Sequence, residues 1–196
     1  MCSSDLIPYK QQIVDFLSEC SDEATAIGAV NTLVPLPGGG WRGENTDVYG
    51  FMQALTADMV LPERAIVLGN GGAALAVRYG LEKEGIQVVT LSRKTSVAAL
   101  KHINIKAYNE FNTLDLAAYP LIVNTTPLGT SPHTNLYPLF PYHKLTASHY
   151  LFDLIYNPEI TQFMQLGIRK KCRVQNGYAM LVGQAEKAWQ LWNAAF

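Results

Sequence analysis

The chain has 196 residues, 48% hydrophobic and 16% charged, with a formal net charge of −1. That composition describes a globular protein with one large domain, or one domain and part of another. Near-neutral charge gives no reason to expect nucleic acid or an acidic membrane surface as partner, and no apolar run is long enough to span a bilayer.

In chain order, apolar Ile13, Val14, Phe16 and Leu17 alternate with polar residues, which predicts an amphipathic helix over Ile7–Cys20 with Pro8 in its first turn. Ser21-Asp22-Glu23 offers a cap for a short second helix ending at Ile27. Ala29–Leu36 and Trp41–Asn45 are short extended runs separated by Gly38-Gly39-Gly40, the pattern of a β-hairpin. Thr46–Met59 returns to helical spacing. From Arg64 the rhythm changes: the apolar runs Ala65–Leu68, Val88–Leu91, Leu121–Val123 and Tyr150–Ile155 alternate with helical stretches such as Ala73–Glu84. Continuous Val/Ile/Leu runs with helices between them predict a parallel sheet buried on both faces. A last amphipathic helix is expected over Tyr178–Ala195. Cys2, Cys20 and Cys172 are scattered and odd in number, and the four histidines form no ligand pair, so neither a disulfide framework nor a metal site is expected.

The turn after the first long strand reads Gly69-Asn70-Gly71-Gly72-Ala73-Ala74, in which Gly69, Gly71 and Ala74 match G-x-G-x-x-A. The first glycine permits a tight turn, the second lets the backbone approach a pyrophosphate, and the small third residue lets helix pack on strand. The helix N-terminus then offers free N–H groups to phosphates. A glycine turn also occurs simply to reverse the chain; its place between a buried strand and a helix favours dinucleotide binding. An NAD site usually carries an acid at the end of the next strand, whereas this one ends Ser92-Arg93-Lys94. A serine and two cations suit the 2′-phosphate of NADP, and a solvated basic turn is the alternative.

Gly28-Ala29-Val30-Asn31-Thr32, Asn45-Thr46-Asp47-Val48-Tyr49-Gly50, the Gly69 turn, Asn124-Thr125-Thr126-Pro127-Leu128-Gly129 and Asn176-Gly177-Tyr178-Ala179-Met180-Leu181 together resemble shikimate dehydrogenase, in that family's order and spacing. The resemblance runs from about Ile7 to the C-terminus. It implies an α/β architecture with a Rossmann-like parallel-sheet NADP domain and an α/β substrate-binding domain, and the NADP-dependent reduction of 3-dehydroshikimate to shikimate in aromatic amino-acid biosynthesis. By the same resemblance Lys10 and Asp47 are catalytic, while Asn31, Tyr156 and Gln184 bind substrate. The cofactor would lie on Gly69–Ala74, Ser92, Arg93, Lys94, Thr125–Gly129 and Gly177. An ordinary lysine titrates at about 10.4, so a base role would require a site that lowers this value, whereas a neighbouring aspartate favours the charged form. Base and positioner both stay open for Lys10.

Family members carry a longer segment ahead of the lysine, so the resemblance implies an N-terminally truncated chain with an incomplete substrate domain, impaired in substrate binding. The expected division is 1–46 for that domain, with Met1–Leu6 non-native, 47–175 for the cofactor domain, and 176–196 for a helix returning to the substrate side. A quinate/shikimate dehydrogenase and a non-catalytic dinucleotide-binding module are the alternatives. A cytoplasmic monomer or homodimer is expected.

Overall fold

The structure, a computed structural model, describes residues 6, 8–57, 59–93, 105–107 and 114–194. Where spacing predicts one helix over Ile7–Cys20, the chain makes a turn, a 3-10 helix over Gln12–Phe16 with no buried residue, and a two-residue strand β1 (Glu19–Cys20). The cause is tertiary. The Val30 N–H donates to the Lys10 carbonyl (2.8 Å) and the Ser18 N–H to the Trp41 carbonyl (3.1 Å), and these ties outweigh helix propensity, a weak preference. Ile13, Val14 and Leu17 still turn inward, onto Ala24, Val30, Leu33 and Leu6, while Phe16 is 82% exposed. Leu6, at the edge of the stretch read as non-native, is thus buried.

Helix α1 (Asp22–Ile27) starts where expected, with the Ser21 hydroxyl accepting from the Ala24 N–H (3.2 Å), and stops at Gly28, whose φ of 71° few other residues adopt. Strands β2 (Thr32–Pro35) and β3 (Trp41–Glu44) form the antiparallel hairpin, with β3 central in a three-stranded sheet of order β1-β3-β2.

After α2 (Asp47–Thr56) come β4 (Arg64–Leu68), α3 (Gly72–Lys83), β5 (Gln87–Ser92), β6 (Ile105–Ala107), β7 (Leu121–Asn124), β8 (Tyr150–Asp153), α4 (Gln162–Ile168), β9 (Arg173–Gln175) and α5 (Tyr178–Asn193). The six strands form one parallel sheet of order β6-β5-β4-β7-β8-β9. Side chains alternate across it. Ala65, Val67, Val123 and Phe152 pack with Phe51, Val77 and Met180 from α2, α3 and α5; Ile66, Leu68, Ile122 and Leu151 pack with Phe163 and Met164 of α4. Both faces are therefore dry, as the unbroken apolar runs require.

The chain leaves β4 for β5 and β6, then returns to the other side of β4 as β7. Ligands of such sheets bind beyond the carboxyl ends of the strands at this switch point. The turns Gly69–Gly71 and Thr125–Gly129 flank it. Helix α5 joins the two sheets: it packs on α2, Met180 enters the large core, and the Trp192 indole N–H donates to the Leu33 carbonyl of β2 (2.8 Å).

Candidate active site

Two motifs of the small sheet hold each other. Asn45 Nδ2 donates to the Ala29 carbonyl (2.9 Å), and Asn45 Oδ1 accepts the Asp47 N–H (3.1 Å) at the start of α2. Asn31 Oδ1 accepts from the Thr46 N–H (2.8 Å) and the Thr32 hydroxyl (3.0 Å), while its Nδ2 donates to Asp47 Oδ1 (2.8 Å). The Asp47 carboxylate thus sits in the first turn of α2, where the helix dipole favours negative charge, with one oxygen fixed. Its other oxygen, Oδ2, meets Lys10 Nζ at 2.6 Å, and the two residues are only 8% and 4% exposed. A charge pair this buried depends on both partners. Lys10 is placed by the bond from Val30 to its carbonyl and by α3, since a Cβ added to Gly72 would lie 3.2 Å from Lys10 Cβ.

Gln184 reaches the same network, its Oε1 3.4 Å from Asn31 Nδ2, although a glutamine in mid-helix usually faces solvent. The reason is the close crossing of α5 on α2: a Cβ on Gly183 would stand 3.1 Å from Gly50 Cα, and one on Gly50 would stand 2.5 Å from the Met180 carbonyl.

Lys10, Asp47 and Gln184 open onto a cleft of about 650 Å³ also lined by Gly71, Gly72, Ala73, Tyr156 and Gly177. A second cavity of about 630 Å³ carries Gly69, Ser92, Arg93 and Leu128. Asn70, Gly71, Thr125, Thr126 and Pro127 line both, so the two form one groove across the switch point. Gly69 has φ +114°, and a Cβ there would stand 2.6 Å from Thr125 Oγ1, which itself donates to the Leu68 carbonyl (2.7 Å). Only glycine fits this turn. At Gly177 a Cβ would fall 2.0 Å from the Leu154 carbonyl oxygen.

Most sequence-predicted residues therefore gather on one groove, and three do not line it. Asn31 is fully buried behind Asp47 with its amide engaged on both sides, so it meets a ligand only by giving up one of those bonds. Ala74 is buried on the sheet-facing side of α3, the packing role of the third fingerprint position. Gly129, with φ +110°, shapes the turn from behind. Lys94 lies outside the described residues. The sequence analysis gives no site role to Pro8, Gln11, Ile155 or Leu181, all of which line the cleft. The i, i+3 spacing of Leu181 and Gln184 was the available signal. Among the described residues no group of His, Cys, Asp and Glu could hold a metal, and no helix is long and apolar enough to cross a membrane.

A parallel sheet with a glycine turn at its switch point, faced by a buried lysine–aspartate pair, is the frame of the dinucleotide-dependent oxidoreductases that act on a CH–OH group, the class to which this chain belongs. The chain is 36% identical over 201 residues to the shikimate dehydrogenase (NADP(+)) of Desulforamulus reducens, covering 95% of this chain and 69% of that protein. Against the enzyme of the same name from Clostridium beijerinckii the identity is 40% over 192 residues, with the same two coverages, 95% and 69%. The crystal structure of shikimate 5-dehydrogenase from Thermus thermophilus, in complex with NADP(H) and shikimate, superposes with a TM-score of 0.83 at 32% identity, covering 96% of this chain and 71% of that one. A quinate dehydrogenase from Corynebacterium glutamicum, in complex with NAD, gives 0.81 at 30% identity, covering 95% of this chain and 70% of that one. No family model matches the chain. This chain belongs to the shikimate dehydrogenase family.

Proposed function

We propose that the chain interconverts 3-dehydroshikimate and shikimate with NADP, the dinucleotide lying along Gly69–Ala73, Ser92–Arg93 and Thr125–Leu128 and the substrate beside Lys10, Asp47, Gln184 and Tyr156. The observation that carries this reading is the buried Lys10–Asp47 pair, which shares one cleft with the N-terminus of α3. The residues present fit the cofactor. The N-cap Gly71 supplies no side-chain hydrogen bond to α3, and a Cβ on it would project into open space, so first-turn N–H groups face the groove for a pyrophosphate. Ser92 and Arg93 stand at the far end, where a 2′-phosphate needs charge-assisted donors.

When bound, NADP supplies the hydride acceptor, and the protein has to move a proton and fix geometry. Lys10 Nζ spends one donor on Asp47 and has others for the reacting hydroxyl. In the oxidising direction Lys10 gives a proton to Asp47 across their 2.6 Å hydrogen bond and, as the neutral amine, takes the one leaving the alcohol oxygen, so the pair as a whole gains one proton. Asn31 positions Asp47, and Gln184 and Tyr156 bind ring hydroxyls. The division into a cofactor domain over 47–175 and substrate-side segments over 1–46 and 176–196 belongs to the same proposal, as do a cytoplasmic location and a monomeric or homodimeric state.

Purified protein mixed with shikimate and NADP, followed by the absorbance of the reduced nicotinamide, tests this reading. Reduction is expected with shikimate and NADP, and lost in Lys10→Ala. Turnover with quinate and NAD instead would favour the specificity of the Corynebacterium relative, and tight NADP binding without turnover on either substrate would favour a non-catalytic binding module.

A further inference from the structure

The Asp153 carboxylate has no part in the chemistry above, yet it is fully buried at the carboxyl end of β8, beside the switch-point strand β7. Its Oδ1 accepts from Asn124 Nδ2 (2.9 Å) and the Ile155 N–H (3.1 Å), and its Oδ2 accepts from the Thr161 hydroxyl (2.6 Å). Two of the donors lead to different parts of the groove wall, and the third to the start of α4. Asn124 Oδ1 accepts from the Thr126 N–H (3.0 Å) and hydroxyl (2.7 Å), and Thr126 Oγ1 in turn accepts the Leu128 N–H (3.4 Å). Ile155 lines the cleft beside Tyr156, and its carbonyl accepts the Gly177 N–H (3.0 Å) at the start of α5. Thr161 caps α4, its Oγ1 accepting the Met164 N–H (3.3 Å).

These three partners are neutral donors, and no cation is among them. Burial pushes the Asp153 carboxyl up to about 6, against the lowering effect of Thr161, the Ile155 N–H and Asn124. A buried carboxyl without an ion-pair partner is a poor way to stabilise a fold. What it offers over a neutral amide is two acceptor oxygens for donors arriving from three directions.

We propose that Asp153 is a positioning residue of the cofactor groove: its two oxygens hold the Asn124–Leu128 turn and the Ile155–Tyr156 segment in the geometry that receives the dinucleotide. This rests on reading the groove as the NADP site.

Amide hydrogen exchange on the cofactor-free protein tests the network, and fluorescence titration with NADPH tests its consequence. In Asp153→Ala, exchange over 124–130 and 155–161 is expected to rise by about tenfold or more, with 64–68 and 87–92 unchanged, and the NADPH Kd to rise by about tenfold, the worth of one hydrogen bond. Asp153→Asn keeps the shape and an acceptor oxygen, and should recover most of both losses. Asp153→Leu keeps volume without charge and carries the alanine's expectation if the alanine variant fails to fold. Unchanged exchange over 124–130, or unchanged NADPH affinity, in the folded alanine or leucine variant overturns the proposal. Absence of NADPH binding by the unsubstituted protein would instead strike the cofactor reading, while the exchange data still judge the network.

Discussion

The six-stranded sheet is packed on both faces by apolar side chains, whereas the three-stranded sheet covers one small cluster and relies on bonds among Asn31, Thr32, Asn45 and Thr46. The groove lies between them and takes different things from each. From the large sheet it takes mainly backbone: turns at strand ends, glycines and an open helix terminus, set on an apolar core and tied by the Asp153 hydrogen bonds. From the polar network beside the small sheet it takes side chains, Lys10 in the turn before β1 and Asp47 in the first turn of α2. The large-sheet side thus rests chiefly on packing, with the Asp153 network at its strand ends, and the other side on hydrogen bonding, and the two should fail differently.

The largest effect is expected where the polar side is cut. Asp47→Ala leaves the Lys10 ammonium buried without its partner, which should cost about 3–5 kcal/mol, and adding Lys10→Met should recover most of that in denaturant unfolding. A double variant as unstable as the single one would show that the pair is not a unit.

On the apolar side, Leu151→Ala in the large core should cost about 2–5 kcal/mol, and Leu33→Ala in the small cluster should fall below that range, because its thinner surroundings can collapse. Equal costs would erase the contrast between the sheets.

A third test uses acid. The Asp153 carboxyl is raised from 3.8 to about 6 by burial, so across that window the folded state binds more protons than the unfolded state. Its contribution to stability is present below the lower value and lost as the pH rises through the upper one. A shift of that size corresponds to about 3 kcal/mol. Unfolding free energies of the unsubstituted protein and Asp153→Asn should therefore diverge by roughly that order between about pH 4 and about pH 7, the unsubstituted protein losing ground as pH rises. Parallel curves would contradict it.

The smallest expected effect bears on cofactor choice. Arg93→Ala should weaken NADP by about tenfold or more, the range of a charge-assisted hydrogen bond, and leave NAD almost unchanged. Equal losses in a binding titration would remove Arg93 from the 2′-phosphate.

Much of this was legible in the sequence where the signal is local. The runs Ala65–Leu68 and Leu121–Val123 announce buried parallel strands, and Gly69-Asn70-Gly71-Gly72 announces the turn, because one short stretch carries the whole requirement. Lys10 and Asp47 came from motif resemblance, and their contact crosses 37 positions. What stayed hidden depends on distant partners. The Gln12–Phe16 segment carries helical spacing but is tied at its ends to Val30 and Trp41. Strands β1 and β9 are too short and too exposed to show a period. Helix α4 contains Gly167, a poor helix former, because a Cβ there would press to 2.7 Å from Leu151 Cδ1's twin methyl, Cδ2. Asp153 draws its three donors from separate turns, so no spacing rule singles it out.

The division of labour between the two sheets is tested most directly by Asp47→Asn, with NADP affinity and shikimate-dependent reduction measured on the same preparation. The amide keeps the shape of the carboxylate but removes its charge from Lys10. NADP binding unchanged within about twofold, together with loss of reduction, is the predicted result. Retained reduction, or loss of NADP binding in parallel with it, would contradict the claim that the Lys10–Asp47 pair supplies the chemistry while the turns of the large sheet hold the cofactor.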